Sequence, residues 1–388
     1  MAEKSGRKVR VALIGIGVMG KKYAEMITAG EAESMVLSAV VVRRPEMLSW
    51  AEALENADGI KPTVYKNTEE LFAHPEDYDA VLIVTPHKTH AEFAKRAFEL
   101  GKHVLCDKPA GATIGQAMDM TAQAKECGLV YGMIFHQRRY PKYRKIKEIL
   151  EKKELGVLQR VMLVNSRYFR TEYYHKSGSW RSSWQGEGGG VLINQGAHLL
   201  DIWQWLFGMP ETIYADVPFG KYNDFMVDDE ATVQMRYADG MTGTFFLTTG
   251  EAVWEERLEI IGSKGKILLE NDTLHVWHYS QDILEYMKTE QVTTRENLTI
   301  EEEVISFEKA KEPYQELLEN FARAVLDGGE TALIAPGEDA LNQIMLTNAA
   351  YYSAWKEGVV TLPVDREAYD EELEKRCIEE RKKEKRFT

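Results

Sequence analysis

The amino-acid sequence predicts an α/β protein with an N-terminal doubly wound parallel sheet and a C-terminal α+β domain built on an open, mostly antiparallel sheet. Length is the first reason: 388 residues make about two domains at roughly 100–200 residues each. Up to about residue 130, short β-rich runs alternate with helical periodicity, the pattern of parallel strands joined by crossover helices. Beyond residue 133, long β-like runs succeed one another across turn signals, the pattern of hairpins.

In chain order, 9–15, 37–42, 80–85 and 103–106 read as buried strands. The helical run 21–29 follows the first of them. Residues 89–100 carry a clearer helical signal, with Ala91, Ala94, Ala97 and Phe98 on one face and Gly101 placed to end it. In the second half, 158–169, 231–249 and 258–269 read as strands, punctuated by Ala238-Asp239-Gly240 and Gly262-Ser263-Lys264-Gly265. Helical stretches at 190–207, 313–326 and 340–356 flank them. The expected boundaries are 1–133, 134–364 and a charge-dense segment 365–388 that reads as solvated tail or surface helix.

Composition removes several function classes. With 44% hydrophobic and 28% charged residues the chain is an ordinary globular one. Its 48 Lys+Arg against 62 Asp+Glu leave a formal charge of −14, which repels a phosphate backbone, so nucleic acid is not an expected partner. Cys106, Cys127 and Cys377 are widely spaced and form no C-x-x-C pattern, so neither a disulfide framework nor a metal site is expected. The apolar stretch 9–20 is brief and broken by glycines, and no run reaches the ~18 apolar residues of a membrane span. These features fit a soluble cytoplasmic protein with no membrane partner.

The strand 9–15 runs into Gly15-Ile16-Gly17-Val18-Met19-Gly20, a G-x-G-x-x-G fingerprint that directly precedes a helix. Gly15 permits the tight turn, Gly17 lets a pyrophosphate approach the backbone, and Gly20 allows close packing of the helix, whose N-terminus offers free N–H groups. The expected cofactor is NAD or NADP. An acid at the end of the second strand would bind the adenosine ribose. Here Val42 is followed by Arg43, Arg44 and Pro45, and two cations at that place lean toward NADP.

Two further segments carry chemistry. Cys106-Asp107-Lys108-Pro109 follows a parallel strand, at the carboxyl edge where open α/β sheets bind ligands. Glu187 is followed by three consecutive glycines, 188–190, and then by a helical run with Leu192, Leu199, Ile202 and Leu206 on an apolar stripe. Asn194, His198 and Asp201, at i, i+4 and i+7, fall on another stripe and bring an amide, an imidazole and a carboxylate together.

These motifs, together with the Thr85-Pro86 turn and His90, resemble the glucose-fructose oxidoreductase / inositol dehydrogenase (Gfo/Idh/MocA) family from about residue 9 to 363. The resemblance implies a Rossmann domain and an α/β domain whose open sheet often mediates dimers or tetramers, so a homo-oligomer is expected. It also implies that Thr85, Pro86, His90, Asp107 and Lys108 lie on the cofactor side, and that Lys108 and His198 line the substrate pocket beside the nicotinamide. Two positions depart from the family pattern. Asp107 stands where glutamate is commoner, and Asn194 stands where an aspartate often precedes the histidine by four residues. The run Asn194-Gln195-Gly196-Ala197-His198, with Trp180-Arg181-Ser182-Ser183-Trp184 upstream, resembles a branch that includes sugar and glycoside 3-dehydrogenases.

The residue types suit that reaction on their own terms. Oxidising a secondary alcohol needs a base of near-neutral pKa within reach of the hydroxyl, which His198 provides. A cation such as Lys108 stabilises the developing alkoxide, and Asn194 sits beside the pair. Residues 168–184 are rich in aromatics, and Tyr174, His175, Trp180, Arg181 and Trp184, with Asn194 and Asp201, are expected to hold a sugar ring. Arg138 and Arg139 are placed either to contact substrate or to pair with the acidic surface, and pairing is the favoured expectation. The leading expectation is an NAD(P)-dependent oxidoreductase acting on a ring secondary alcohol, at C3, of a sugar or glycoside. The alternatives are a glycoside hydrolase using NAD by redox-elimination, and a non-catalytic dinucleotide-binding regulator.

Overall fold

The computed structural model describes residues 6–178, 180–308 and 313–387. The chain forms two units, one of residues up to 138 with 313–344, the other of 139–308 with 345–387.

The first unit is built on six parallel strands: β1 (Val9–Ile14), β2 (Met35–Val41), β3 (Thr63–Tyr65), β4 (Ala80–Ile83), β5 (His103–Cys106) and β6 (Tyr131–Met133), in the order β3-β2-β1-β4-β5-β6. Ala80 to Ile83 are fully buried, as a strand covered by helices on both faces must be. Strand order reverses beside β1, which opens a crevice at the carboxyl ends of β1 and β4. β3 and β6 were not anticipated. Each is three residues long; Thr63-Val64-Tyr65 is too short a run to register, whereas Tyr131-Gly132-Met133 lies within the apolar run 129–135, whose strand signal sequence reasoning missed.

The units differ from the expected 1–133 and 134–364: the chain first passes from one to the other after Arg138, and the helix Pro313–Leu326 belongs to the first unit. The carboxylate of Glu319 accepts hydrogen bonds from the Ser34 amide (2.9 Å) and hydroxyl (2.6 Å) at the entry to β2. Farther on, the Met133 amide donates to the Ala335 carbonyl at 2.9 Å. A long-range return of this kind leaves no local mark in the sequence.

The second unit holds a nine-stranded sheet: β7 (Leu158–Asn165), β8 (Thr212–Asp216), β9 (Glu230–Arg236), β10 (Thr242–Thr248), β11 (Glu256–Gly262), β12 (Gly265–Glu270), β13 (Thr273–Tyr279), β14 (Ile300–Ser306) and β15 (Val360–Thr361), ordered β14-β13-β12-β11-β7-β10-β9-β8-β15. Only β7 and β10 pair in parallel; the other pairs are antiparallel. The run 231–249 folds back at the expected Ala238-Asp239-Gly240 turn, closed by the Tyr237 amide on the Met241 carbonyl at 3.0 Å. Val161, Leu163, Val233, Phe245, Leu258 and Ile260 are buried, as are Leu199, Ile202 and Trp203 of the helix Gly196–Phe207. Gly243 is required here, because a Cβ would lie 2.5 Å from the Trp203 ring.

Of the expected tail or surface helix at 365–388, the described residues form the helix. Residues 366–387 form a helix in which Tyr369, Leu373, Cys377 and Glu380 make a buried stripe at near-helical spacing. The ring of Tyr369 stacks on Trp355 at 5.3 Å, and the Glu380 carboxylate accepts the amides of Trp184 (3.0 Å) and Gln185 (2.9 Å). Its high charge density conceals a single apolar stripe. Among the described residues no helix is long and apolar enough to cross a membrane.

Candidate active site

In the first unit the fingerprint turn leaves β1 at Gly15, where φ is +103°. A Cβ there would sit 2.2 Å from the Val84 carbonyl oxygen, and one on Gly20 would sit 1.8 Å from the Gly15 oxygen. Nothing lies within 4 Å of a Cβ on Gly17, and Gly17 and Val18 are exposed at the start of the helix Val18–Thr28. Two glycines are thus demanded by the fold, and the third leaves its backbone open, a cradle that fits a pyrophosphate on a helix N-terminus. Ile16 is buried and Met19 half-buried. Arg44 leans over the turn, donating from Nη2 to the Ile16 carbonyl at 3.3 Å, and Arg43 is exposed beside it.

At the carboxyl ends of β4 and β5, two loops are tied by one histidine. The His90 ring nitrogens lie 2.7 Å from the Pro109 carbonyl and 2.7 Å from the Thr85 carbonyl. His90 has no exposed surface. The expected cofactor contact at His90 is therefore corrected to a strut that holds Thr85-Pro86 against the Asp107-Lys108-Pro109 loop. The Thr89 hydroxyl donates to the Thr85 hydroxyl at 2.7 Å, and Thr85 and Pro86 are half-buried. Asp107 Oδ1 accepts the Lys108 amide at 2.8 Å. Burial pushes the Asp107 carboxyl up, opposed by the charges of Lys108 and His90.

One group here was missed by sequence reasoning. His136 follows β6, stacks on Tyr314 at 4.4 Å, and is 7% exposed. Burial, and then the positive charges of Lys108 and Lys22, push its pKa down to about 3, so it stays neutral near Lys108. Arg138 is also buried, pairing with Asp339 at 2.6 Å; it pairs as expected but inside the unit, not on its surface. Arg139 lies at the start of the second unit.

In the second unit the glycine-led helix is two segments, Val191–Asn194 and Gly196–Phe207. They join at Gln195, whose φ of −73° and ψ of −41° keep the helical sense. Asn194 and His198 therefore still share a side, and both are half-buried. Asp201 does not join them. It is 1% exposed and accepts Gln204 Nε2 at 3.1 Å, which makes it a core carboxylate in place of a substrate contact.

The N-terminus of this helix is pinned from β9. Asp228, just before that strand, accepts the Gly190 amide (2.8 Å), the Leu192 amide (2.7 Å) and the Tyr351 hydroxyl (2.6 Å). Burial raises its pKa to about 6 in spite of these bonds. The Asn194 amide nitrogen donates to Glu187, a 2%-exposed carboxylate that also accepts the Ser182 amide at 2.7 Å. Glu187 thus supplies a carboxylate next to the position where Asn194 replaces aspartate. Sequence spacing hid it, because Glu187 lies before the glycines and off the helical stripe.

The aromatic segment divides. Tyr174 reaches the helix, and its hydroxyl oxygen accepts Arg181 Nη1 (2.9 Å), Gln195 Nε2 (3.1 Å) and Asn194 Nδ2 (3.4 Å). His175 bonds Ser182 through Nδ1, and Arg181 stacks 4.6 Å from the Trp180 ring centroid. Trp184 does not belong with them. It is 1% exposed among Tyr351, Trp355 and Phe219 and donates Nε1 to the Met226 carbonyl at 2.8 Å, so it is core and not a platform for substrate.

Residues 9–135 match the oxidoreductase family described as an NAD-binding Rossmann fold, and residues 143–268 match the GFO/IDH/MocA C-terminal domain. The chain belongs to the GFO/IDH/MocA oxidoreductase family. It is an NAD(P)-binding oxidoreductase whose dinucleotide domain is the first unit. Curated relatives include the myo-inositol 2-dehydrogenase of Thermotoga maritima, 25% identical over 88% of this chain and 95% of that protein. The 1,5-anhydro-D-fructose reductase of Ensifer adhaerens is 27% identical over 68% of this chain and 76% of its own. An uncharacterised oxidoreductase of Escherichia coli, YdgJ, is 33% identical over 54% of this chain, but the match spans only 56% of YdgJ. Among solved structures, levoglucosan dehydrogenase in complex with NADH superposes with a TM-score of 0.75 at 22% identity, covering 92% of this chain and all of that one. At that identity the likeness concerns the fold.

Proposed function

We propose that this GFO/IDH/MocA protein is an NAD(P)-dependent dehydrogenase that oxidises a ring secondary alcohol, at C3, of a sugar or glycoside. The observation that carries the proposal is the pairing of functions: a fingerprint turn and Lys108 at the carboxyl edge of one sheet, and a half-buried Asn194/His198 face in the other unit. The sugar class is supported by relatives that act on inositol and anhydrofructose, and the C3 position by the resemblance of the Asn194-Gln195-x-x-His198 run to sugar and glycoside 3-dehydrogenases.

The dinucleotide, when bound on the Gly15–Gly20 turn, supplies the hydride acceptor. The chain's own residues handle the proton and the charge. His198 takes the hydroxyl proton as general base. Lys108 stabilises the alkoxide as it forms and polarises the ketone in the reverse direction. Asn194 donates its NH₂ to Glu187, which fixes the orientation of its side chain on the side of the helix that carries His198. His136, held neutral, leaves the charge at Lys108 to the ammonium alone. Steady-state formation of reduced nicotinamide across a panel of hexoses, hexuronates, inositols and aryl glycosides tests the proposal. Turnover of at least one ring alcohol is expected, and its absence across the panel overturns it.

A further inference from the structure

Among the described arginines of the second unit that form no ion pair, Arg144, Arg236 and Arg295 are exposed, whereas Arg170 and Arg181 are half-buried. Arg160 pairs with Glu259 at 2.7 Å, Arg167 with Glu256 at 2.9 Å and Arg257 with Glu259 at 3.2 Å. Arg170 and Arg181, both half-buried, have no carboxylate partner among the described residues, in a chain carrying 62 Asp+Glu. Instead their guanidinium carbons lie 4.6 and 4.8 Å from the ring centroid of the same residue, Tyr174. Arg170 spends one N–H on the Phe169 carbonyl at 3.0 Å and Arg181 one on the Tyr174 hydroxyl at 2.9 Å, and a guanidinium has five.

The Tyr174 oxygen has three N–H donors around its two lone pairs, from Arg181, Gln195 and Asn194. Its own proton must therefore point away from them. The nearby carboxylate, Glu187, is engaged by the Ser182 amide and the Asn194 side chain. The cluster thus presents unspent N–H and O–H donors and two cations, with an acceptor and a countercharge missing. A neutral ring hydroxyl provides the acceptor alone; an oxyanion provides both.

We infer that Arg170, Arg181 and Tyr174 bind an oxyanion carried by the substrate, a carboxylate or phosphate on the sugar, beside Asn194 and one helical turn before His198. This rests on the sugar dehydrogenase reading and narrows it from neutral glycosides to acidic sugars.

Calorimetric binding to the cofactor-loaded protein separates the sources, with D-glucuronate, D-glucose 6-phosphate and D-glucose as probes. At least one anion is expected to bind at least ~10-fold more tightly than glucose, the worth of about one charge-assisted hydrogen bond, and which one names the source. Arg170→Gln should remove about that factor for the anion and leave glucose unchanged, Arg181→Gln should cost the anion more than it costs glucose, and Arg181→Lys should retain part of the anion's advantage. Equal wild-type affinity for glucose and both anions overturns the inference whatever the variants do. If glucose is then still oxidised, the dehydrogenase reading survives alone. If anion selectivity is present and lost in the variants, yet no sugar is oxidised, the site stands and the dehydrogenase reading falls.

Discussion

Replacing Glu380 by alanine tests whether the charge-dense C-terminal helix is a strut or a solvated tail. The Glu380 side chain is 5% exposed and receives the Trp184 and Gln185 amides at 3.0 and 2.9 Å. Hydrogen bonds to a charged group are worth ~1.5–3 kcal/mol each. The lower figure applies, because truncation also removes the cost of desolvating the carboxylate. Two such bonds give about 3 kcal/mol, and at roughly 2–4 °C per kcal/mol for a domain of this size Tm should fall by about 6–12 °C. Glu379→Ala is the internal control. Its side chain is 51% exposed in a surface pair with Arg376, so a change within ~0.5 kcal/mol is expected. Thermal unfolding followed by circular dichroism reads both. Equal, small shifts for the two variants would refute the reasoning and restore the solvated tail.

Lys108→Ala and His198→Ala should each lower kcat at least ~10²-fold with dinucleotide affinity nearly intact, and wild-type turnover in either removes that residue from the mechanism. Arg44 touches the fingerprint turn, so Arg43→Ala and Arg44→Ala should weaken NADP binding by ~10-fold and NAD binding by much less; equal losses in fluorescence titration would detach the pair from the 2′-phosphate. Asp228 is raised to about 6, mainly by burial. A folded pKa above the unfolded one gives stability that is full below the ordinary aspartate value of ~4 and is lost as pH rises through about 6. Asp228→Asn lacks that titration, so the Tm difference between wild type and variant should change across this window and level off above it; a difference constant with pH contradicts the assignment.

The parts of this protein that were legible in the sequence are those whose physics is local. Gly15 and Gly20 announce a turn that admits no Cβ, the 80–85 run announces a strand buried on both faces, and Asn194 and His198 four apart announce one side of a helix. What was not legible depends on distant chain. Asp201 keeps the helical spacing yet points into the core. Trp184 sits amid polar aromatics in sequence but is enclosed by Tyr351 and Trp355, more than 160 positions away. Glu187 and Glu380 act on backbone amides and an asparagine that no periodicity connects to them. The helix Pro313–Leu326 returns to the first unit through Glu319 and Ser34, a contact that nothing local encodes.

The central claim, that a carbon-bound hydrogen of a sugar ring passes to nicotinamide, is tested most directly by isotope tracing. The protein is incubated with oxidised dinucleotide and hexoses or hexuronates deuterated at each ring carbon in turn, and the reduced dinucleotide is weighed by mass spectrometry. The account predicts a gain of one deuterium from the sugar labelled at C3 and none from the other positions. Reduced dinucleotide carrying no deuterium from any ring position, or none formed at all, would contradict it.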